Sequence, residues 1–205
     1  MAKPKPPSRR ESKKTTTRDK LLRSALRLFR KRGFNAVTIS DITNAAGTAK
    51  GTFFNYFNTK ADVIAVWYKT ASLPTDDAKI ETLAEALDLV VYKPLDELLS
   101  EPELLAAKFA NENDNASIAE AEAEVDKRIF TILEAVLLKE EEKAGPLPVT
   151  AGELASLIGA ILTGAAREWR ISGEKRALSA IAKERLDSLF ALADEARLTK
   201  GPAQD

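Results

Sequence analysis

The 205-residue sequence contains neither cysteine nor histidine. Without cysteine, the chain can form no disulfide, no thiol-based sensor and no thiolate metal site. Without histidine, it lacks the commonest metal ligand and general base, so a catalytic triad that uses histidine is excluded and only a carboxylate site would remain. A Gly-rich phosphate-binding loop is also missing from the sequence. We therefore expect a protein that is not an enzyme and that uses no cofactor and no metal ion.

Long apolar runs are missing as well. No stretch reaches the 18 or more apolar residues that would span a bilayer. The opening residues, MAKPKPPSRRESKK, are basic, but no apolar segment follows them, so they do not have the pattern of a signal peptide. The sequence therefore predicts a cytoplasmic protein with no membrane partner.

The formal net charge of zero conceals an uneven distribution of charge. Residues 1–60 contain 15 Lys or Arg against 3 Asp or Glu, a net charge of +12. Residues 61–205 contain 16 against 28, a net charge of −12. A basic segment of this kind is typical of a nucleic-acid-binding module joined to a body with a different task.

The basic segment contains the most informative stretch of the chain, TISDITNAAGTAKGTFFNYFNTK at residues 38–60. Thr38 and Asp41 have the spacing of a capping box and predict the start of a helix. Gly47 predicts its end, because glycine reaches the left-handed conformation at little cost. A second helix then carries Phe53 and Phe57 on one face. This pattern predicts a helix-turn-helix over residues 38–57 within a DNA-binding domain over residues 15–60.

The segment AAGTAKGTFFNYFNTKADV resembles the signature of the TetR family of bacterial transcriptional regulators, whose usual form is close to AGVSKGTLYYHFPSKEAL. With the preceding amphipathic helix, the resemblance covers Thr15 to about Trp67. Two positions depart from the family pattern. Thr48 stands where a buried valine is usual, and Ala49 stands where a serine usually caps the recognition helix. The cap has therefore either moved to Thr48 or is missing.

Polar residues that leave the Phe53/Phe57 face are predicted to reach base edges, while Gly51 permits a close approach of the backbone. The resemblance implies phosphate contacts for Thr38, Tyr56 and Lys60. Lys60 is also unfavourable to the dipole at a helix N-terminus, so a nearby phosphate would account for its charge. The full predicted DNA-binding set is Thr38, Ala49, Lys50, Gly51, Thr52, Asn55, Tyr56 and Lys60.

The rest of the chain predicts further helices and no strand, which makes the protein all-α with about nine helices. Residues 1–14 are expected to form a disordered basic arm, and the first helix is expected to begin at Thr16 and Asp19. Residues 61–205 are predicted to form a helical effector-binding and dimerisation domain. Within it, Pro94 is expected to end one helix, and the last helix is expected to begin at Gly173 or Glu174.

The last two helices predict an oligomer interface. Residues 154–166, LASLIGAILTGAA, are apolar on nearly all faces, and apolar residues of the final helix recur at close to heptad spacing. Neighbouring helices of the same chain could also cover these faces. The resemblance instead implies a homodimer whose two heads bind a palindromic operator in double-stranded DNA. The predicted interface residues are Leu157, Ile161, Leu178, Ile181, Leu186, Leu189 and Phe190.

Family members commonly enclose a ligand in the helical body, and five aromatic residues are candidates for such an effector pocket. Ordinary core packing is the alternative for each of them. Because polar anchors are few, a pocket of this kind predicts a hydrophobic or amphipathic small molecule. The five residues are Trp67, Tyr92, Phe109, Phe130 and Trp169.

The sequence thus predicts a sequence-specific DNA-binding regulator, a repressor that such an effector releases from its operator. The alternative is a DNA-bound adaptor of the same fold that a protein partner controls instead of a small molecule.

Overall fold

The computed structural model describes residues 9–72, 80–172 and 176–199 of the chain. These residues form helices and connecting turns with no strand among them, so the prediction of an all-α fold is confirmed. The helices are α1 (Arg9–Arg32), α2 (Ile39–Ala46), α3 (Lys50–Phe54), α4 (Lys60–Ser72), α5 (Leu83–Leu87), a π-helical turn (Asp88–Tyr92), α6 (Lys93–Leu99), α7 (Pro102–Asn111), α8 (Ala116–Ala144), α9 (Ala151–Ser172) and α10 (Leu178–Thr199).

The helical backbone continues through Pro94, so the prediction that this proline ends a helix is wrong. The residues between α5 and α6 form a π-helical turn in which the Lys93 N–H donates to the Asp88 carbonyl. A proline cannot donate to the carbonyl four residues before it, and the wider π turn changes the hydrogen-bond pattern at the point where that donor is missing. If α5, the turn and α6 are taken as one helix, the described part of the chain has nine helices.

Two predicted helix starts also differ from the structure. Helix α1 begins at Arg9 and not at Thr16, so residues 9–14 of the expected disordered arm are helical. No proline or glycine interrupts the sequence between Pro7 and Gly33, and the helix can therefore extend toward the N-terminus. Helix α10 begins at Leu178. The predicted start at Gly173 or Glu174 lies outside the described residues, as do residues 1–8 of the arm.

The chain divides into two compact units. Unit 1 comprises Met1–Tyr68 and Glu101–Ala121, and unit 2 comprises Lys69–Ser100 and Glu122–Asp205. Unit 1 therefore contains the predicted DNA-binding domain and, in addition, α7 and the first residues of α8. Helices α4 and α8 each contribute residues to both units.

In unit 1, helix α1 buries the apolar stripe that its sequence predicts, including Leu21, Ala25 and Phe29. Helix α7 packs against α1. The Arg30 guanidinium of α1 donates to both carboxylate oxygens of Glu101, directly before α7, at 2.7 to 3.0 Å. A guanidinium and a carboxylate paired in this two-pronged way hold one relative orientation of the two helices.

In unit 2, one hydrophobic core joins α5, the π-helical turn, α6, α8, α9 and α10. Leu133 and Leu137 of α8, Ile158 of α9 and Leu186 of α10 are all buried in it. Thr150 caps the start of α9, accepting a hydrogen bond from the Glu153 N–H at 3.2 Å and donating to the Glu153 carboxylate at 2.8 Å. Among the described helices, none is long and apolar enough to cross a membrane.

Three of the predicted interface residues belong to this single-chain interior. Leu178, Ile181 and Leu186 are buried within their own chain, because α10 packs closely against α9. Within the single chain these residues pack inside unit 2, and their contact with a second chain remains a prediction. Of the other four predicted residues, Leu157 is exposed, and Ile161, Leu189 and Phe190 are half-buried.

Candidate nucleic-acid interface

The first helix of the helix-turn-helix, α2, has both of its predicted ends. The Thr38 hydroxyl accepts a hydrogen bond from the Asp41 N–H at 3.1 Å, and the Asp41 carboxylate accepts one from the Thr38 N–H at 2.8 Å. These hydrogen bonds form the capping box and hold the pKa of the Asp41 carboxyl below its ordinary value. At the other end, Gly47 is left-handed with φ of 66°, as its position predicts.

The turn after α2 is fixed by backbone hydrogen bonds. The Gly47 N–H donates to the Asn44 carbonyl at 3.2 Å, and the Thr48 N–H donates to the Thr43 carbonyl at 2.9 Å. This pair of bonds is the Schellman motif, which satisfies carbonyls at the end of a helix and directs the chain away from it. The motif therefore sets the direction in which α3 begins.

Helix α3 begins without a side-chain cap. Ala49 is its N-cap residue and has no side chain that can accept a hydrogen bond from the first turn. The cap has not moved to Thr48, because the hydroxyl oxygen of Thr48 is buried and has no hydrogen-bond partner in the structure. Of the two sequence alternatives, the missing cap is the one observed, and the Thr48 hydroxyl is left without a hydrogen-bond partner.

Two buried aromatic rings orient α3. Phe53 and Phe57 are both buried, as predicted, with ring centroids 5.4 Å apart. The helix ends at Phe54, so Phe57 packs from the turn that follows α3 and not from the helix itself. The guanidinium of Arg18 in α1 lies 5.5 Å from the centre of the Phe57 ring, a cation–π contact that the sequence analysis missed.

With those rings turned inward, most of the predicted DNA-binding residues face outward. Ala49, Lys50, Gly51 and Asn55 are exposed, as is Thr38 at the start of α2. Thr52 and Tyr56 are half-buried. The structure therefore brings the predicted base-reading and phosphate-contacting residues to the outside of one short motif. Their contacts with DNA remain predictions.

The contacts of the Lys60 ammonium group differ from those expected from the sequence. Its ammonium group donates to the carbonyls of Phe34 and Val37 at 2.8 and 2.7 Å, and it lies 4.5 Å from the centre of the Phe34 ring. Partial burial lowers the pKa of this ammonium. The inference that a phosphate is needed to account for this charge is wrong, because two carbonyls and a ring stabilise it within unit 1. Lys60 ties the loop between α1 and α2 to the start of α4.

A buried carboxylate, Asp62, organises the start of α4. It accepts hydrogen bonds from the Asn58 N–H at 2.7 Å, from the Thr59 hydroxyl at 2.8 Å and from the Asn115 side-chain amide at 3.3 Å. Burial raises the pKa of this carboxyl, but the hydrogen bonds outweigh burial and leave the pKa below its ordinary value. The Thr59-x-x-Asp62 spacing is a second capping-box pattern, which the sequence contains and the sequence analysis overlooked.

Asn115 connects this network to α8. Its amide nitrogen donates to the Thr59 hydroxyl at 3.2 Å and to Asp62, while its amide oxygen accepts a hydrogen bond from the Ile118 N–H at 3.0 Å. Asn115 thus caps the start of α8 and joins it to the start of α4 within unit 1.

The five candidate effector residues do not lie in one unit. Trp67 and Phe109 belong to unit 1, and Tyr92, Phe130 and Trp169 belong to unit 2. Both tryptophans are buried. Tyr92 and Phe130 are half-buried and pack against the same hydrophobic core of unit 2, and burial raises the pKa of the Tyr92 hydroxyl.

Comparison with known proteins agrees with the motif. The sequence profile described as "Bacterial regulatory proteins, tetR family" matches residues 21–66. An uncharacterized HTH-type transcriptional regulator in the lacX 3′ region of Lactococcus lactis subsp. lactis is 28% identical over 85 residues, which cover 36% of this chain and 43% of that protein. The chain thus spans less than half the length of this curated relative.

Solved structures share the fold over most of the chain. Thermus thermophilus FadR, a TetR-family transcriptional repressor in complex with lauroyl-CoA, has a TM-score of 0.59 at 23% identity and covers 84% of this chain and 93% of its own. SmeT, the repressor of the Stenotrophomonas maltophilia multidrug efflux pump SmeDEF, has a TM-score of 0.61 at 19% identity, with coverages of 85% and 89%.

The fold and the motif together define an all-α protein with a helix-turn-helix unit of the kind that binds DNA. Residues 21–66 match the profile of the tetR family of bacterial regulatory proteins, and the fold is similar to that of solved TetR-family regulators.

The unsatisfied hydroxyl of Thr48 leads to a prediction about stability. Thr48→Val keeps the shape of the side chain and removes a buried hydroxyl without a partner, so it should raise the free energy of unfolding by about 1 kcal/mol. The measurement is chemical denaturation followed by circular dichroism. Thr43→Val is the matched control, because the Thr43 hydroxyl donates a hydrogen bond to the carbonyls of Ile39 and Ser40. The control should not gain stability, and equal changes in both variants would contradict the assignment.

Proposed function

We propose that this protein is a homodimeric transcriptional repressor that binds a palindromic DNA operator through α2 and α3. The observation that carries the proposal is the outward face of α3. This face presents Lys50, Gly51 and Asn55 to solvent, while Phe53 fixes the opposite face in the core of unit 1. The net charge of +12 over residues 1–60 favours a polyanion as the partner of this face.

Gly51 supports a close approach by DNA. A Cβ atom added at Gly51 would meet no atom of the chain within 4 Å, and its backbone conformation does not require glycine. Glycine inside a helix costs up to about 1 kcal/mol relative to alanine. Nothing inside unit 1 explains its presence, whereas a DNA backbone or base edge lying against the helix does.

A second chain would be expected on α9 and α10. Leu157 and Ile171 of α9 and Leu192 of α10 are 44%, 74% and 66% exposed. Gly159 and Gly164 of α9 also have open space where a Cβ atom would lie, so the single chain gives no packing reason for either glycine. Exposed apolar side chains beside small residues suit close packing of helices from a second copy. A two-fold dimer would place two α3 helices for two half-sites of an operator.

For the effector, we propose a hydrophobic or amphipathic molecule that binds in unit 2 beside Tyr92 and Phe130. Both side chains are half-buried against the core of that unit, as expected for the rim of an apolar site. The similar fold of FadR, solved with lauroyl-CoA, supports an amphipathic acyl compound as the first candidate.

Release from DNA requires that the effector bind one conformation of the dimer more tightly than the other. Helices α4 and α8 each contribute residues to both units, and the hydrogen bonds of Asn115 join their starts. These two helices are therefore our proposed route from the effector site to α3.

The DNA assignment is tested with Gly51→Ala. The operator is first obtained by selecting bound sequences from random DNA with the full-length protein. Because its methyl group has room in the free chain, Gly51→Ala should keep or raise the melting temperature, yet weaken operator binding by about tenfold or more. A scrambled duplex of equal length is the control for non-specific binding. If Gly51→Ala leaves the affinity for the operator unchanged, α3 is not part of the DNA interface.

The dimer assignment is tested with Leu157→Glu. In a single chain this position is exposed, so a carboxylate there should leave the fold intact, whereas in an interface it would be buried and unpaired. We expect a dimer for the unaltered protein and a monomer for the variant by sedimentation velocity. Leu138→Glu on α8 is the matched control, because Leu138 is exposed to a similar degree, and this variant should remain a dimer. If Leu157→Glu also remains a dimer, the interface lies elsewhere.

The effector class is tested by thermal shift and operator release. Lauroyl-CoA and drug-like amphipathic compounds should raise the melting temperature by mass action, an effect worth about 2.7 kcal/mol at 100 times the dissociation constant. The same compounds should release the operator, and Tyr92→Ala should reduce both effects. Free CoA and divalent metal ions are the controls. If only hydrophilic compounds or metal ions stabilise the protein and release DNA, the apolar effector is wrong.

A further inference from the structure

Phe54, the last residue of α3, is a large apolar side chain that unit 1 does not bury. It is 48% exposed, while the adjacent Phe53 is fully buried. Neighbouring residues of a helix point about 100° apart, so the ring of Phe54 points away from the direction in which Phe53 is buried. Polar residues were expected on the outward surface of α3, and this apolar ring lies there as well.

Among the described residues of unit 1, Phe54 is the only large hydrophobic side chain that is exposed. The ring nevertheless has a defined position. It packs edge-on against Phe53, with ring centroids 5.7 Å apart and planes 86° apart. An aromatic ring held in this way loses little further freedom on binding a partner.

Phe54 also lies among the residues proposed to face DNA. It follows Gly51 by three residues and Lys50 by four, so the three share one side of the helix. The open space beside Gly51 leaves the helix backbone accessible next to the ring. The partner of this surface must therefore accommodate a cation, a bare backbone and an apolar ring together.

The major groove of DNA offers one strongly apolar feature, the 5-methyl group of thymine, and its remaining base edges present donors and acceptors. A phenylalanine ring has no hydrogen-bonding group, so the thymine methyl group is the feature of the base edges that it can contact favourably. We propose that Phe54 is a specificity-determining residue that reads a thymine methyl group in each operator half-site. This inference rests on the proposed function, since it assumes that α3 enters the major groove.

The test removes the methyl group alone. Duplexes carrying the selected operator are prepared with each thymine replaced in turn by deoxyuridine, which keeps every hydrogen-bonding group and lacks only the 5-methyl group. For the unaltered full-length protein, replacement of thymine by deoxyuridine at one symmetric pair of positions should lower the affinity for the operator. The expected loss is about fourfold per methyl group, as for the loss of one buried carbon. Replacing a thymine outside the selected sequence is the control.

The variants then assign the methyl contact to Phe54. Phe54→Ala should bind the thymine operator at least about fourfold more weakly. It should also bind the thymine and deoxyuridine operators equally at the sensitive pair. Phe54→Leu keeps an apolar side chain and should retain part of the discrimination. Melting temperatures close to that of the unaltered protein would show that both variants are folded, as expected for an exposed position.

The outcomes distinguish a failure of the proposed function from a failure of the role assigned to Phe54. If no sequence is enriched from random DNA, the proposed function fails. If an operator is found but no thymine methyl contributes, or if Phe54→Ala keeps the same sensitivity to deoxyuridine, the function stands and the role of Phe54 is overturned.

Discussion

The burial of Phe53 is the constraint on which the recognition surface depends. Helix α3 has only five residues and no side-chain cap, and a helix of that length is not stable alone in water. Its direction is set by the Schellman turn before it, and its rotation is set by Phe53, which is fully buried. The outward positions of Lys50, Gly51 and Phe54 therefore follow from the packing of one ring and not from the stability of α3 itself.

The hydrogen bonds of Asp62 give unit 1 a second fixed point. A buried carboxylate without partners would be costly, but this one accepts hydrogen bonds from the turn before α4 and from Asn115 before α8. The same carboxylate thereby positions the starts of two helices that also contribute to unit 2. The bidentate pair of Arg30 and Glu101 adds α7 to the same unit. As a result, the compact unit around the helix-turn-helix is larger than the basic segment of the sequence.

Features that depend on a few neighbouring residues could be read from the sequence. The cap at Thr38 and the left-handed Gly47 are local, and each has the predicted geometry. Features that depend on distant partners could not be read in this way. The carbonyls that hold Lys60 come from residues more than 20 positions away, and the spacing of Leu186 does not tell whether its own chain or a second one covers it. Pro94 was misread because the π turn that accommodates it has no strong sequence signal.

The sequence made Phe54 a candidate for an exposed ring, because adjacent residues of a helix point about 100° apart and the spacing of Phe53 and Phe57 already favoured Phe53 for the core. The error lay in treating the outward face of a DNA-binding helix as polar. Base edges in the major groove include methyl groups, and an apolar side chain is therefore compatible with such a face.

The glycines of the described chain differ in whether the fold of the single chain gives a reason for their presence. Gly47 is left-handed, so the fold itself accounts for it, and a Cβ atom at Gly152 would lie 2.9 Å from the movable carboxylate of Glu134. Only Gly51, Gly159 and Gly164, among the described glycines, have neither a positive φ nor an atom near the added Cβ. Each of these glycines lowers the stability of its helix, and no close contact within the described chain requires it. They lie on the two surfaces proposed for DNA and for a second chain, where close approach by another molecule supplies the missing reason.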